Sequence, residues 1–177
     1  TDPATDIGPV IDAESREALE AHVERLQKEA RIVARAELPA GADKGDLFAP
    51  TIAEIPTPDF LEREVFGPIL HVHRYDPADL KTVAGKLAAR GYGLTLGVHS
   101  RIEAFAEEVI RLVPAGNVYI NRGVTGAVVG VQPFGGEGLS GTGPKAGGPN
   151  SLIRYASEKA ISNNISAQGG DPALLNL

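Results

Sequence analysis

The sequence predicts an α/β fold with parallel strands, and two observations carry this prediction. Apolar runs typical of strands alternate with amphipathic segments typical of helices from about residue 69 to residue 121. That order favours parallel strands joined by right-handed crossovers. A glycine-rich stretch, 132–149, then follows the last predicted strand. Because ligands of parallel sheets gather at the carboxyl ends of the strands, we expect this loop to lie at the ligand-binding edge.

The amino-terminal third predicts one long helix followed by short elements. Asp12 is a candidate N-cap, and the apolar residues after it recur at helical spacing, which predicts a helix over roughly 13–30. His22 lies on the apolar stripe of this helix, where a partly buried structural histidine is the favoured interpretation. The next predicted elements are a strand at 31–36, an extended segment at 47–53 and a helical turn at 59–64.

The middle of the chain supplies the alternating pattern. Its predicted elements are a strand at 69–75, a helix at 77–90, a strand at 94–99, a helix at 101–113 and a strand at 117–121. His71 and His73 share one face of the first of these strands. A metal-binding pair is one interpretation, but two structural histidines are favoured because no further ligand is evident.

The carboxy-terminal part predicts a short helix at 150–158, a weak strand at 159–166 and a tail that ends in an apolar segment. Three leucines would not be needed in a solvated tail. The tail is therefore expected to pack on another surface, and a second subunit is one candidate.

The glycine-rich loop itself leaves two interpretations open. Seven of its eighteen residues are glycine and three are proline, which suits a ligand-binding loop but also a flexible connector. Gly136-x-Gly138-x-x-Gly141 matches a dinucleotide-binding fingerprint. The match is weak because no strand leads directly into it and no helix opens on it. The residues alone therefore indicate no more than an α/β domain with a ligand-edge loop.

Composition and charge exclude several classes of function. The net charge is −6 and the basic residues are dispersed, which argues against nucleic acid and anionic membrane surfaces as partners. The 177 residues include no cysteine, so they offer no thiol nucleophile, disulfide or cysteine-based metal site. No apolar run reaches the ~20 residues of a membrane span. We expect a cytoplasmic protein. Because the sequence lacks an initiator methionine, we also expect a piece of a longer chain.

Five short motifs in the sequence resemble those of a known protein family. They are Phe48-Ala-Pro-Thr51, Glu64-Val-Phe-Gly-Pro68, Tyr92-Gly-Leu-Thr95, Gly116-Asn-Val-Tyr-Ile-Asn121 and Pro133-Phe-Gly-Gly136. Their order and spacing resemble the aldehyde dehydrogenase superfamily over about residues 5–165. The segments 125–136 and 139–149 look like its glutamate-semialdehyde (pyrroline-5-carboxylate) dehydrogenase branch. They are most similar to the carboxy-terminal part of the bifunctional proline utilization A proteins.

The resemblance implies a domain organisation and an incomplete active site. Residues 1–158 would form the second half of an aldehyde dehydrogenase catalytic α/β domain, and 159–177 an oligomerisation strand and tail. In that family a cysteine thiolate attacks the aldehyde, hydride passes to NAD, and a glutamate-activated water releases the acid. The nucleophile, the general base and the nucleotide-phosphate loop would all precede residue 1. The resemblance therefore implies no catalytic residue and no metal ligand in this chain, and no activity of the chain alone.

Glu64 and Phe66 match the family's cofactor-binding positions. Glu64 would accept hydrogen bonds from the nicotinamide ribose hydroxyls, since the two oxygens of a carboxylate suit a vicinal diol. Phe66 would lie beside that ribose. The alternatives are a solvated surface glutamate and an ordinary core phenylalanine.

Four residues match the family's substrate-binding positions. Phe134 would line the aldehyde tunnel. Ala146, Gly147 and Gly148 would form an anchor whose backbone N–H groups hold the substrate carboxylate, which explains their small size. A plain tight turn is the alternative for these three residues.

The resemblance also implies cofactors and partners. NAD would serve the full-length protein, and FAD only a bifunctional parent with a proline dehydrogenase domain elsewhere. The partners would be the missing amino-terminal half, a second copy in a homo-oligomer and a small-molecule substrate, with no nucleic acid. A non-catalytic binding or assembly module with this fold is the second hypothesis. A phosphate-binding domain that uses the glycine-rich loop is the third.

Overall fold

The computed structural model describes residues 5–39, 41, 45–128, 130–141, 143–164, 167 and 173, and confirms the α/β class. The helices are α1 (Ala13–Glu29), α2 (Leu80–Ala89) and α3 (Glu103–Leu112). The strands are β1 (Arg31–Arg35), β2 (Thr51–Glu54), β3 (Ile69–Val72), β4 (Tyr92–Gly93), β5 (Thr95–Val98), β6 (Asn117–Ile120) and β7 (Glu137–Gly138). Short 3-10 helices span Pro58–Phe60, Pro77–Asp79 and Leu152–Tyr155.

The amino-terminal layer consists of α1 packed on the sheet β1–β2–β3. The carboxylate of Asp12 accepts a hydrogen bond of 2.8 Å from the Ser15 backbone N–H, which confirms the predicted N-cap. β1 and β2 are antiparallel, whereas β2 and β3 are parallel. Two apolar clusters hold this layer together; their buried residues are Leu19, Val23, Leu26, Phe48, Ala53, Ile55 and Phe60.

The second layer is built on the parallel pair β5–β6, with α2 and α3 packed against each other. Lys86 and Arg90 at the end of α2 form ion pairs with Asp59, at 2.7 and 3.5 Å. Since Asp59 belongs to the 3-10 helix after β2, these pairs fasten α2 to the amino-terminal layer. None of the described helices is long and apolar enough to cross a membrane.

The expected single parallel unit over 69–121 is wrong in its strand partners. The parallel pairs exist, but β3 pairs with β2, and β5 pairs with β6 in a separate sheet. The connection between β2 and β3 is long enough for a crossover between parallel strands. β3 can therefore pair with β2, the strand that precedes it in the chain. Residues 73–75 also lie outside the strand expected for them.

The carboxy-terminal elements are shorter than expected. The helix predicted at 150–158 is one 3-10 turn, Leu152–Tyr155, and its side chains are exposed. Residues 159–164, the described part of the strand predicted at 159–166, form neither strand nor helix. Beyond them only residues 167 and 173 are described, so Gly169, Gly170 and the final leucines lie outside the described residues. A strand that joins a second subunit's sheet stays a prediction.

Candidate functional site

The described part of the glycine-rich loop is held by hydrogen bonds to the ends of the neighbouring strands. β7, inside the loop, pairs antiparallel with β4. The Ser140 hydroxyl oxygen accepts a hydrogen bond of 3.1 Å from the Gly93 N–H, and the Leu139 N–H donates to the Gly91 carbonyl at 2.8 Å. These contacts argue against a flexible connector, and the ligand-binding interpretation stays a prediction. The two-residue strand β7 is an element of this loop that the sequence pattern does not predict.

Phe134 and Ala146 face each other across this loop. The Phe134 N–H donates to the Ala146 carbonyl at 3.0 Å, and the Ala146 N–H donates to the Phe134 carbonyl at 2.9 Å. The two residues are twelve positions apart in sequence, yet they form a bonded antiparallel pair. The structure thus brings together the predicted aldehyde-tunnel residue and the predicted carboxylate anchor.

The anchor offers fewer free donors than the sequence suggests. The Ala146 N–H is taken by Phe134, and the Gly148 N–H donates to the Lys145 carbonyl at 3.0 Å. Among the described residues, no acceptor is found for the Gly147 N–H. Gly147 has φ +72°, and a Cβ added there would meet nothing within 4 Å. The open space and the available N–H leave room for a hydrogen-bond acceptor at Gly147, and its role as a carboxylate anchor stays a prediction.

A surface cavity of about 410 Å³ lies beside this anchor. Its lining includes Gly148, Pro133 and two residues of opposite charge, Lys145 and Glu137. Because the two charges offset each other, this lining does not by itself select an anionic ligand. A second cleft, of about 810 Å³, lies between the amino-terminal segment and the end of β1 and shares no lining residue with this site.

Asn117 is a site residue that sequence reasoning did not single out. Its side-chain Nδ2 donates to the Pro133 carbonyl at 3.0 Å, and its Oδ1 accepts from the Gly135 N–H at 3.1 Å. The preceding Gly116 lies so close to the loop that an added Cβ would collide with the Gly135 carbonyl oxygen. The only signal in the sequence is the Gly116-Asn117 pair at the start of a strand.

Glu64 and Phe66 belong to the amino-terminal layer, just before β3. Between Phe66 and β3, Gly67 lies so close to α1 that an added Cβ would meet the side chain of Leu19. The side chains of Glu64 and Phe66 are both exposed, Phe66 to 85%. The alternative of a core phenylalanine is therefore wrong for this structure. Among the described residues, none forms an ion pair or hydrogen bond with the Glu64 carboxylate. An available carboxylate near an exposed ring suits a ribose, and the cofactor role stays a prediction.

The histidines form a pair that the sequence did not predict. His22 Nε2 and His71 Nε2 lie 2.9 Å apart, so one ring donates a hydrogen bond to the other. His73 points elsewhere: its Nδ1 lies 3.3 Å from the Ile55 carbonyl, and its ring stacks on Tyr75. His71 and His73 are thus not a pair, and no cluster of three or more metal-ligating side chains occurs among the described residues.

Burial lowers the pKa of both His22 and His71. The guanidinium charges of Arg25 and Arg63 lower the pKa of His22 further, and the neighbouring His22 does the same for His71. The pair therefore favours the neutral imidazole, with His22 packed edge-on against the Phe60 ring. This is a structural arrangement between α1 and β3, as expected for His22.

Known proteins share this fold and much of this sequence. A model of the aldehyde dehydrogenase family matches residues 1–161. The bifunctional protein PutA of Klebsiella aerogenes is 49% identical over 160 residues, which cover 88% of this chain and 12% of PutA. A 1-pyrroline-5-carboxylate dehydrogenase of Geobacillus sp. (strain WCH70) is 38% identical over 164 residues, which cover 91% of this chain and 31% of that protein.

Solved structures agree with these relatives. A proline utilization A (PutA) mutant from Bradyrhizobium japonicum superposes with a TM-score of 0.83 and 52% identity, covering 92% of this chain and 16% of its own. A Thermus thermophilus 1-pyrroline-5-carboxylate dehydrogenase mutant gives a TM-score of 0.71 at 38% identity, covering 84% of this chain and 28% of its own. The chain thus spans less than a third of the length of these relatives. On its sequence and its fold, the chain belongs to the aldehyde dehydrogenase family.

Proposed function

We propose that this chain forms the carboxy-terminal part of an NAD-dependent L-glutamate γ-semialdehyde (1-pyrroline-5-carboxylate) dehydrogenase of proline catabolism. The similarity to PutA and to 1-pyrroline-5-carboxylate dehydrogenases supports this reaction. The observation that carries the proposal is the bonded pair of Phe134 and Ala146. This pair supports the proposal because an aromatic side chain close to the available N–H of Gly147 suits a substrate with an aldehyde at one end and a carboxylate at the other.

On the substrate side, recognition rests on an anion site. The Gly147 N–H donates to the substrate carboxylate, and the neighbouring cavity is lined by Lys145 together with Glu137. Charge-assisted hydrogen bonds of this kind are about twice as strong as neutral ones. Phe134 shapes the passage through which the aldehyde end reaches the reacting centre.

On the cofactor side, Glu64 accepts hydrogen bonds from the ribose hydroxyls, and the exposed ring of Phe66 packs beside the sugar. NAD bound by these residues would supply the two-electron oxidant for a reaction in which aldehyde, water and NAD+ give carboxylate, NADH and two protons. FAD enters only if the parent protein carries a proline dehydrogenase domain elsewhere.

The nucleophile has to come from outside these residues, because the sequence contains no cysteine. We infer that the preceding part of the same protein supplies the cysteine, the general base and the nucleotide-phosphate loop. The chain alone is therefore inactive. A homo-oligomer joined through residues 159–177 and a cytoplasmic location complete the proposal.

A non-catalytic binding or assembly module is the second candidate. The observation in its favour is again the absence of cysteine from all 177 residues. It would use the anchor to bind a carboxylate without converting it.

A kinetic assay separates the two candidates. The chain restored to full length should form NADH from glutamate semialdehyde at a kcat/KM well above that for butanal, which has the same reacting group but no carboxylate. The chain alone, freed of host dehydrogenases, should form no NADH above a buffer control. A natural gene product of only 177 residues that forms no NADH would support the non-catalytic module and overturn the proposal.

A further inference from the structure

We propose that Asn117 is a positioning residue that sets the geometry of the carboxylate anchor. This inference rests on the proposed function, since it assumes that Gly147 binds the substrate carboxylate. Asn117 holds the residues on both sides of Phe134: Nδ2 donates to the Pro133 carbonyl at 3.0 Å, and Oδ1 accepts from the Gly135 N–H at 3.1 Å. One amide thus satisfies a donor and an acceptor at once, which fixes its orientation.

The position of Phe134 is passed on to the anchor through the backbone. Phe134 and Ala146 exchange two hydrogen bonds, of 3.0 and 2.9 Å, so neither can shift without the other. Gly147 follows directly in the chain. A displacement of Pro133 and Gly135 therefore moves the N–H group that receives the carboxylate.

Asn117 is itself held by a regular element. As the first residue of β6 it lies opposite Thr95 of β5, and its backbone N–H donates to the Leu94 carbonyl at 3.0 Å. The loop is held by hydrogen bonds and not by apolar packing, because no described residue between 121 and 164 is buried. The side chain of Asn117 thus connects a paired strand to a loop that lacks an apolar core.

Loosening this connection should act on substrate binding. A loop that spends only a fraction of its time in the binding geometry raises the apparent dissociation constant by the inverse of that fraction. Because Asn117 contacts the loop and not the ligand, the effect should follow the carboxylate and spare the cofactor.

The test compares variants of the chain restored to full length. Asn117→Ala should raise KM for glutamate semialdehyde by about 10-fold or more, as expected for two lost hydrogen bonds. KM for NAD should stay unchanged, and KM for butanal should rise less. Asn117→Asp keeps the acceptor for Gly135 but loses the donor to Pro133, so it should give an intermediate rise.

Asn121→Gly is the matched control. Asn121 directly follows the same strand, and its side-chain amide also makes two backbone hydrogen bonds, of 2.9 and 3.0 Å, but to Ser100. Its φ of +55° suits glycine. This variant should lose comparable hydrogen bonding without a selective rise in KM for the semialdehyde.

The outcomes separate the inference from the function on which it rests. If Asn117→Ala and Gly147→Val both raise KM selectively for the semialdehyde, the inference and the proposed function are both supported. A selective effect of Gly147→Val without one for Asn117→Ala overturns the inference alone. If Gly147→Val is not selective, the anchor itself is wrong and the inference falls with it. If Asn117→Ala does not fold, Asn117→Asp decides: a selective rise supports the inference, and KM values like those of Asn121→Gly overturn it.

Discussion

The amino-terminal layer and the glycine-rich loop, which carry the predicted ligand positions, are stabilised in different ways. The amino-terminal layer, which carries Glu64 and Phe66, is built around buried apolar side chains such as Leu26 and Val23. The glycine-rich loop, which carries Phe134 and Gly147, has no buried residue in its described part and is held by hydrogen bonds. The cofactor positions thus sit on a packed scaffold, and the substrate positions on a bonded loop.

This difference teaches where stability and specificity reside. Apolar burial contributes about 25 cal/mol per Å² and is hard to disturb locally. A net hydrogen bond contributes only about 0.5–1.5 kcal/mol, so a bonded loop opens at a lower free energy than a core. Changes to the first layer should act on the whole molecule, and changes to the loop on substrate binding.

The largest effect is expected in the apolar layer. Leu26 is fully buried, so Leu26→Ala should lower the free energy of unfolding by about 2–5 kcal/mol through lost burial and a residual cavity. Urea unfolding of the chain measures this. Ile11→Ala, at a residue 89% exposed, is the control and should change stability by no more than about 0.5 kcal/mol. Equal losses in both variants would contradict the assignment of the core.

A smaller, local effect is expected where the loop meets β6. In Gly116→Ala the new Cβ would collide with the Gly135 carbonyl, which should cost about 1–3 kcal/mol or displace the loop. Hydrogen exchange of the Phe134 and Ala146 amides should then speed up. Gly123→Ala is the control, because its Cβ would meet nothing within 4 Å. Unchanged exchange in Gly116→Ala would show that the loop is not packed as described.

The smallest effect is expected from pH at the His22–His71 pair. Both pKa values are lowered on folding, so the unfolded chain binds more protons. The stability that the neutral pair contributes should be complete above the unfolded pKa of about 6.5 and be lost as pH falls below it.

Urea unfolding between pH 8 and pH 5 measures this decline. His22→Gln should make the decline shallower. The carboxylates of Glu54 and Asp59, whose hydrogen bonds with Arg31 and Lys86 lower their pKa, lose their stabilising contribution only at pH values below this range. An equally steep decline in His22→Gln would remove the pair as the cause.

The sequence predicts the apolar layer better than the loop. Helix α1 follows from Asp12 and the helical spacing after it, because both signals are local. The partner of β3 could not be predicted, since periodicity identifies a strand but not its neighbour. The pairing of Phe134 with Ala146 joins backbone groups, and these leave no pattern in the side chains.

The residues of the candidate site also differ in how far the sequence predicts them. Glu64, Phe66 and Gly147 were found through motifs, and their exposure or open surroundings suit the proposed roles. That the N–H groups of Ala146 and Gly148 are already used could not be predicted, because it depends on how the loop folds back on itself. Asn117 was missed for the same reason.

The central claim is that the glycine-rich loop holds the substrate and the amino-terminal layer holds the cofactor. Paired titrations of Gly147→Val and Glu64→Ala in the chain restored to full length test this claim most directly. At Gly147, with φ +72°, valine strains the backbone by on the order of 1–3 kcal/mol and fills the space of the carboxylate. Loss of one charge-assisted hydrogen bond, worth about 1.5–3 kcal/mol, should weaken binding of glutamate semialdehyde by about 10- to 100-fold.

Binding of NAD should change little in Gly147→Val, and the reverse should hold for Glu64→Ala, with weaker NAD binding and intact recognition of the carboxylate. If the valine variant binds the semialdehyde normally, or if either variant loses both ligands equally, the assignment of substrate and cofactor to these two regions is contradicted.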